Sequence, residues 1–141
     1  MVQLIFENEY VVCELDDSLP VLRHRWKKET PGEIFRENLV AIQKQYLKLS
    51  KVYDYLAWLA DTQALGEVDE ETEKWFKEAW EDLLFNEAQV KIHAVVLSED
   101  FYAEYPMEKF KLDAEDKFKS QGVQLGVFEE EEEAYDWIRT R

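Results

Sequence analysis

Hydrophobic and polar positions along this chain follow two periods, and each change of period marks a predicted element. Residues 55–60, Tyr-Leu-Ala-Trp-Leu-Ala, have no polar face. So short a run reads as a strand with helices over both of its surfaces. Asp54 lies just before it and Asp61 ends it. From Asp69 the period becomes helical. Asp69-Glu70-Glu71-Thr72 offers an N-cap and acidic first-turn residues, and Trp75, Phe76, Ala79, Trp80, Leu83 and Leu84 recur every three or four positions. Each large apolar side chain contributes about 1.5–3 kcal/mol when fully buried, more than a surface ion pair, so this face should pack on the sheet.

Residues 4–27 alternate as strands do. Tyr10, Val11, Val12 and Cys13 precede the turn signal Asp16-Asp17-Ser18, and residues 21–26 follow it, which predicts an N-terminal hairpin. In the second arm Leu22, His24 and Trp26 share one face while Val21, Arg23 and Arg25 share the other. His24 then lies among apolar neighbours, where a hydrogen-bonded structural histidine is expected rather than a catalytic or metal-binding one. Thr30-Pro31-Gly32-Glu33 has the form of a capping box, with Thr30 as N-cap and Pro31 at the first helical position. Phe35, Leu39, Ile42, Tyr46 and Leu49 extend that helix along one face, and it leads into the central strand. Such a crossover favours parallel pairing of right-handed sense.

Residues 90–97 read as a second apolar strand, with His93 on the face of Val95 and Leu97 and again structural in expectation. Ser98 opens a short helix that Pro106 stops. Phe101, Tyr102, Tyr105, Met107 and Phe110 make this stretch aromatic, and it follows the carboxyl end of a strand, where open α/β sheets bind ligands. Ser98, Phe101, Tyr102, Tyr105 and Phe110 are therefore ligand-cleft candidates; the same aromatics could instead close the core. Asp113 caps a further turn or two of helix that ends near Gly122, and residues 123–128 form the last strand. The acidic run 129–133 leads into a terminal helix carrying Ala134, Trp137 and Ile138, with Arg139 and Arg141 at its far end. The resulting expectation is an α/β fold with a mixed sheet of about five or six strands, an N-terminal hairpin and about four or five helices.

Composition narrows the functions open to such a fold. A chain of 141 residues, 46% hydrophobic, suits one domain spanning 1–141. Its 32 acidic and 17 basic side chains give a formal net charge of -15, which repels nucleic-acid phosphates and anionic lipid headgroups. Arg23, Arg25, Lys27 and Lys28 form one local basic group, read as the solvated face and end of a strand. The lone cysteine, Cys13, cannot form an internal disulfide and should be buried. Signal-peptide character is missing from the N-terminus, and no stretch approaches the roughly 18 apolar residues of a membrane span, so the expected compartment is the cytoplasm. None of the patterns GxSxG, HExxH, CxxC, GxGxxG or GxxxxGK[ST] occurs. The expectation is a protein that is not an enzyme and uses neither cofactor nor metal. Asp61 is the best single candidate for chemistry, since it ends a buried strand where sites form; its other role would be to hydrogen-bond the following turn. Asp69, Glu70, Glu71 and Glu73 lack the spacing of a calcium loop.

The order of elements and several short motifs resemble a known family. Asp61-Thr62 after the central strand, Trp75 on the next helix, Ser98 after the following strand, and Glu132-Glu133-Ala134 with Trp137 near the end carry the likeness. They are similar to small bacterial proteins grouped with the STAS domains, the anti-sigma factor antagonist and sulfate-transporter superfamily, and in particular to its SpoIIAA-like branch. The resemblance covers nearly the whole chain and implies a STAS-like fold with a non-enzymatic regulatory role. In the anti-sigma factor antagonists a DSSG-like turn at the start of the covering helix supplies a serine that a partner kinase phosphorylates. The matching position here reads Asp69-Glu70-Glu71-Thr72, with no serine after the aspartate and no glycine. The resemblance thus implies a permanently acidic partner-binding surface formed by Asp61, Thr62, Asp69, Glu70, Glu71 and Thr72 with the loop 62–68. Its partner would be another protein, with a homodimer the other assembly open to it. The second expectation, of a different class, is a carrier of a small apolar ligand or lipid, motivated by segment 101–110 and by the lipid-binding folds to which this branch is likened. The interaction surface predicts an exposed acidic face with little pocket behind it; the carrier predicts a cavity of about 300–1,000 Å³.

Overall fold

The computed structural model describes residues 1–97, 112 and 114–141. Strands β1 (Val2–Glu7), β2 (Val11–Asp16), β3 (Val21–Trp26), β4 (Ala57–Asp61), β5 (Ile92–Val96) and β6 (Gln124–Phe128) form one sheet in the order β1-β2-β3-β4-β5-β6. The first three pair antiparallel, and β3 through β6 pair parallel. Helix α1 (Gly32–Leu49) joins β3 to β4. Helix α2 (Glu70–Trp75) follows β4 and runs on through two π-helical segments, Phe76–Trp80 and Asp82–Glu87. Residues 114–117 are helical, and α3 (Glu131–Arg139) ends the chain. The α/β class and the mixed sheet agree with the hydrophobic pattern. The expected hairpin is present as β2 and β3, and β1 adds a third antiparallel strand at the sheet edge. Ser98, Phe101, Tyr102, Tyr105 and Phe110, together with Pro106, Met107 and Asp113, lie outside the described residues.

Alternation along the strands gives the sheet two different faces. One presents Cys13, Leu15, Leu22, Trp26, Trp58 and Val95 to Phe35, Leu39, Ile42 and Tyr46 of α1 and to Trp80, Leu84 and Phe85 beyond α2. Two right-handed crossovers that step in the same direction put α1 and α2 on the same side. The opposite face packs Val21, Ala57, Leu59, Ala94 and Val96 against Ala134 and Ile138 of α3. Sandwiched between these layers, β4 is buried at every position, as its uniformly apolar sequence requires.

Three local features depart from the sequence reading. Pro31, not Thr30, occupies the N-cap of α1 and makes no side-chain cap bond, while the Thr30 hydroxyl donates to the Lys28 carbonyl at 2.9 Å. Pro31 itself is extended, with ψ of 142°, so the helix begins one residue later, at Gly32. Tyr55 takes a left-handed φ of 60°, so β4 begins only at Ala57. The third is the π-helical stretch after Trp75. Positions five apart lie roughly 140° away from each other around an α-helix, yet the Trp75 and Trp80 rings stack at 5.3 Å and 20°. A widened i→i+5 turn brings them together, and it carries Trp80 over the middle of the sheet, 5.7 Å from Trp58.

Candidate functional site

The first turn of α2 is tied down from beneath. Asp69 caps the helix, its Oδ1 accepting from the Thr72 amide at 2.8 Å. Hydrogen bonds from Thr72 hold the Asp69 carboxyl below its ordinary range. Arg36 of α1 donates to the Thr72 hydroxyl at 2.7 Å and stands 3.7 Å from Asp69 and 3.9 Å from Glu71. Thr72 is fully buried, so its hydroxyl is structural here. Glu67, Asp69, Glu70 and Glu71 remain exposed. Glu67 and Asp69 line a cleft of about 160 Å³ between this turn and the start of α1, together with Thr30, Gly32, Phe35, Leu65, Val68 and Thr72. The acidic face is therefore not flat.

Asp61 and Thr62 sit elsewhere. Thr62 is buried, and its hydroxyl donates to the Val96 carbonyl at 2.7 Å, clamping β4 to β5. Asp61, 3% exposed, accepts from the Gln63 amide at 3.1 Å, as the turn-forming role required. Its other oxygen faces the polar group on the α3 side of the sheet, 3.5 Å from Arg25 Nε. There Glu131, in the first turn of α3, accepts from Arg23 at 2.7 Å and from Arg25 at 3.1 Å. Arg23 also donates to Glu14 at 2.6 Å and to the Tyr135 hydroxyl at 3.1 Å. Both arginines are thus engaged by carboxylates, because α3 lays its acidic first turn across them; Arg23 is largely covered, whereas Arg25, Lys27 and Lys28 stay exposed as the solvated face and end of the strand. Burial, then the hydrogen bond and charge of Glu131, push the Asp61 carboxyl up to about 6. Burial acts the same way on Glu131, but bonds from Asp61 and Arg25 and the two guanidinium charges outweigh it and keep that carboxyl below its ordinary range. The two neighbouring carboxyls are thus pushed in opposite directions.

A third feature lies on the other face, under α1 and the π-helical turns. A cavity of about 60 Å³ is lined by His24, Trp26, Phe35, Trp58, Trp80 and His93, among others. The Trp58 ring stands 5.3 Å from His24 and 6.2 Å from His93, nearly parallel to the latter. Neither ring nitrogen of His24 has a hydrogen-bond partner among the described residues, and the same holds for Trp26 Nε1 and His93 Nδ1. The hydrogen-bonded structural histidine expected at position 24 is therefore not what the fold provides: the partners would have to come from apolar walls. Each unpartnered buried group costs about 1–3 kcal/mol. Burial pushes both imidazoles down to about 3, with the nearby His93 adding to the effect on His24. Both are neutral near pH 7.

Cys13 is buried, and burial drives its thiol up to about 12, which keeps it inert. Among the described residues no group of three or more His, Cys, Asp or Glu side chains is arranged to hold a metal ion, and no helix is long and apolar enough to cross a membrane. No family model, curated protein or solved structure matches the chain. The six surface candidates thus divide: Asp69, Glu70, Glu71 and Thr72 belong to one turn, whereas Asp61 and Thr62 are interior groups at the carboxyl end of β4. The Arg23–Glu131–Asp61 group joins β3, β4 and α3. Its only trace in sequence is an acidic run opening the last helix and arginines on the polar face of β3.

Proposed function

We propose that this chain is a non-enzymatic, STAS-like regulatory module of bacterial, cytoplasmic type that binds a basic protein partner through the turn that opens α2. The observation carrying this reading is the run of exposed carboxylates at this turn, of which Glu67 and Asp69 line a cleft of about 160 Å³ and Glu70 and Glu71 follow directly in sequence. A lysine or arginine of the partner would enter the cleft, with its stem against Phe35 and Leu65 and its charge among the acids. Arg36 and Thr72 pre-order the turn, so little conformational freedom is lost on binding. The succession of antiparallel strands, α1, β4, α2, β5, β6 and an acid-led terminal helix supports the STAS-like assignment.

A second reading, a carrier of a small apolar ligand, is favoured by the largely apolar walls of the interior cavity, among them Phe35, Leu39, Trp58 and Trp80. At about 60 Å³ that cavity falls well short of a lipid site. To test the first reading, wild type and a Glu67→Lys/Glu70→Lys/Glu71→Lys variant are immobilised side by side and challenged with extract of the native host. A stoichiometric, salt-sensitive polypeptide retained by wild type and lost from the folded variant is the expected result; equal retention by both contradicts the assignment.

A further inference from the structure

We propose that the chamber beneath α1 and the π-helical turns is a binding site for one small neutral molecule carrying a hydrogen-bond acceptor, of the amide, ketone or short alcohol class. It rests on the second reading above only in taking the chamber to hold a ligand; the chemistry that selects the ligand is its own.

Four buried polar atoms on three lining residues lack partners among the described residues: both His24 nitrogens, Trp26 Nε1 and His93 Nδ1. His24 and Trp26 are each 1% exposed, so bulk water does not serve them. Indole N–H can only donate, whereas a neutral imidazole donates through one nitrogen and accepts through the other. The complementary guest accepts from Trp26 and His24 and gains a further bond if it can also donate. The Thr62 hydroxyl, also on the wall, is already committed to the Val96 carbonyl.

Charge and size narrow the class further. No Asp, Glu, Lys or Arg is among the described lining residues, so an ionised guest would meet Phe35, Trp58 and Trp80 with no counter-charge. The volume of about 60 Å³ is less than half of the roughly 150 Å³ that accommodates benzene. At about 10–15 Å³ per water, the chamber takes about four or five waters, or one molecule of about four non-hydrogen atoms. Phe76 and Trp80, on the first π-helical turn, form part of the wall, and such turns are found often at binding sites.

The test is an NMR titration of the full-length protein, following the Trp26 indole N–H and the His24 ring nitrogens, with acetamide, formate and dissolved xenon as separate probes. Acetamide should shift both signals saturably and formate should not. His24→Phe should weaken acetamide binding about tenfold, the effect of one lost hydrogen bond. Should that variant fail to fold, Trp26→Phe removes the indole donor while enlarging the chamber, and should weaken acetamide similarly. An unsaturable response, an equal response in the variants, or a Trp26 indole proton that contacts only water overturns the proposal. If xenon enters while acetamide does not, this inference fails and the apolar carrier survives; if neither enters, both fail.

Discussion

Replacing Asp61 by asparagine should stabilise the protein at neutral pH, although the carboxylate stands beside an arginine. Burial and Glu131 raise the Asp61 carboxyl from 3.8 to about 6, so between those values the folded chain holds a proton that the unfolded chain releases. The stability contributed by that proton is fully present below about pH 4 and is lost as the pH rises through about 6. At 1.36 kcal/mol per pKa unit, a rise of about two units corresponds to a loss of about 3 kcal/mol near pH 7.5 and about 1 kcal/mol near pH 4.5. Asparagine keeps the shape, cannot ionise, and can donate to Glu131 where the protonated Asp61 did. Other groups titrate in the same range with the opposite sign. His24 and His93 are buried neutral, so they cost stability as the pH falls below about 6.5. Glu131, whose carboxyl lies below its ordinary range, costs stability as the pH falls through the acid range. The histidine contributions are common to both proteins and cancel in the difference between variant and wild type at each pH. Urea unfolding followed by tryptophan fluorescence measures that difference, with the slope checked for constancy. The variant should be more stable by about 3 kcal/mol near pH 7.5, with the gap shrinking to about 1 kcal/mol near pH 4.5. A variant less stable than wild type near pH 7.5, or a gap that ignores pH, would refute the reasoning and show that the Arg25 ion pair outweighs burial at Asp61.

Further predictions follow from the same contacts. Gly32→Ala should destabilise even though alanine is the better helix former: the added methyl lands on the Asp69 carboxylate and 2.9 Å from the Thr72 hydroxyl. Losing that cap costs about 1 kcal/mol, read as a lower urea midpoint. Arg23→Met strands Glu14 and leaves Glu131 with Arg25 alone, both carboxylates being only about a fifth exposed, and should cost about 2 kcal/mol, less than a fully buried pair because solvent reaches the group. Amide exchange across 131–139 should accelerate in that variant; unchanged exchange would separate α3 from the Arg23–Glu131–Asp61 group. His24→Phe removes two unpartnered nitrogens and should raise stability in the absence of ligand by about 1–3 kcal/mol, while flattening the loss of stability below about pH 6.5. An unaltered acid limb would show that His24 is protonated in the fold.

Elements whose hydrophobic pattern is decided by one kind of neighbour were legible in the sequence. The all-apolar β4, the helical period of α1 and the acid-to-basic gradient of α3 each allow one arrangement, and the fold adopts it. The start of α1 lies one residue later than the capping-box pattern places it, because Pro31 takes an extended ψ of 142° that its sequence position does not reveal. The π-helical turns could not be read from spacing, since Trp75, Phe76, Ala79 and Trp80 satisfy an α-helical stripe equally well, and packing of Trp80 on Trp58 settles it. Asp61 was recognisable as the polar end of a buried strand. Its partners were not, because Arg25 reaches it only through the parallel register of β3 on β4, and Glu131 only when α3 folds back over the sheet. His24 and His93 were correctly assigned to the apolar face, but the absence of hydrogen-bond partners is a property of packing that alternation does not carry.

A native mass spectrum of the protein, purified at physiological ionic strength from its own host, tests the central claim most directly. Binding through the acidic turn predicts a species carrying one additional polypeptide, dissociated by salt and absent from the Glu67→Lys/Glu70→Lys/Glu71→Lys variant. A bare chain under those conditions, or a polypeptide adduct that survives the charge reversal, would contradict it.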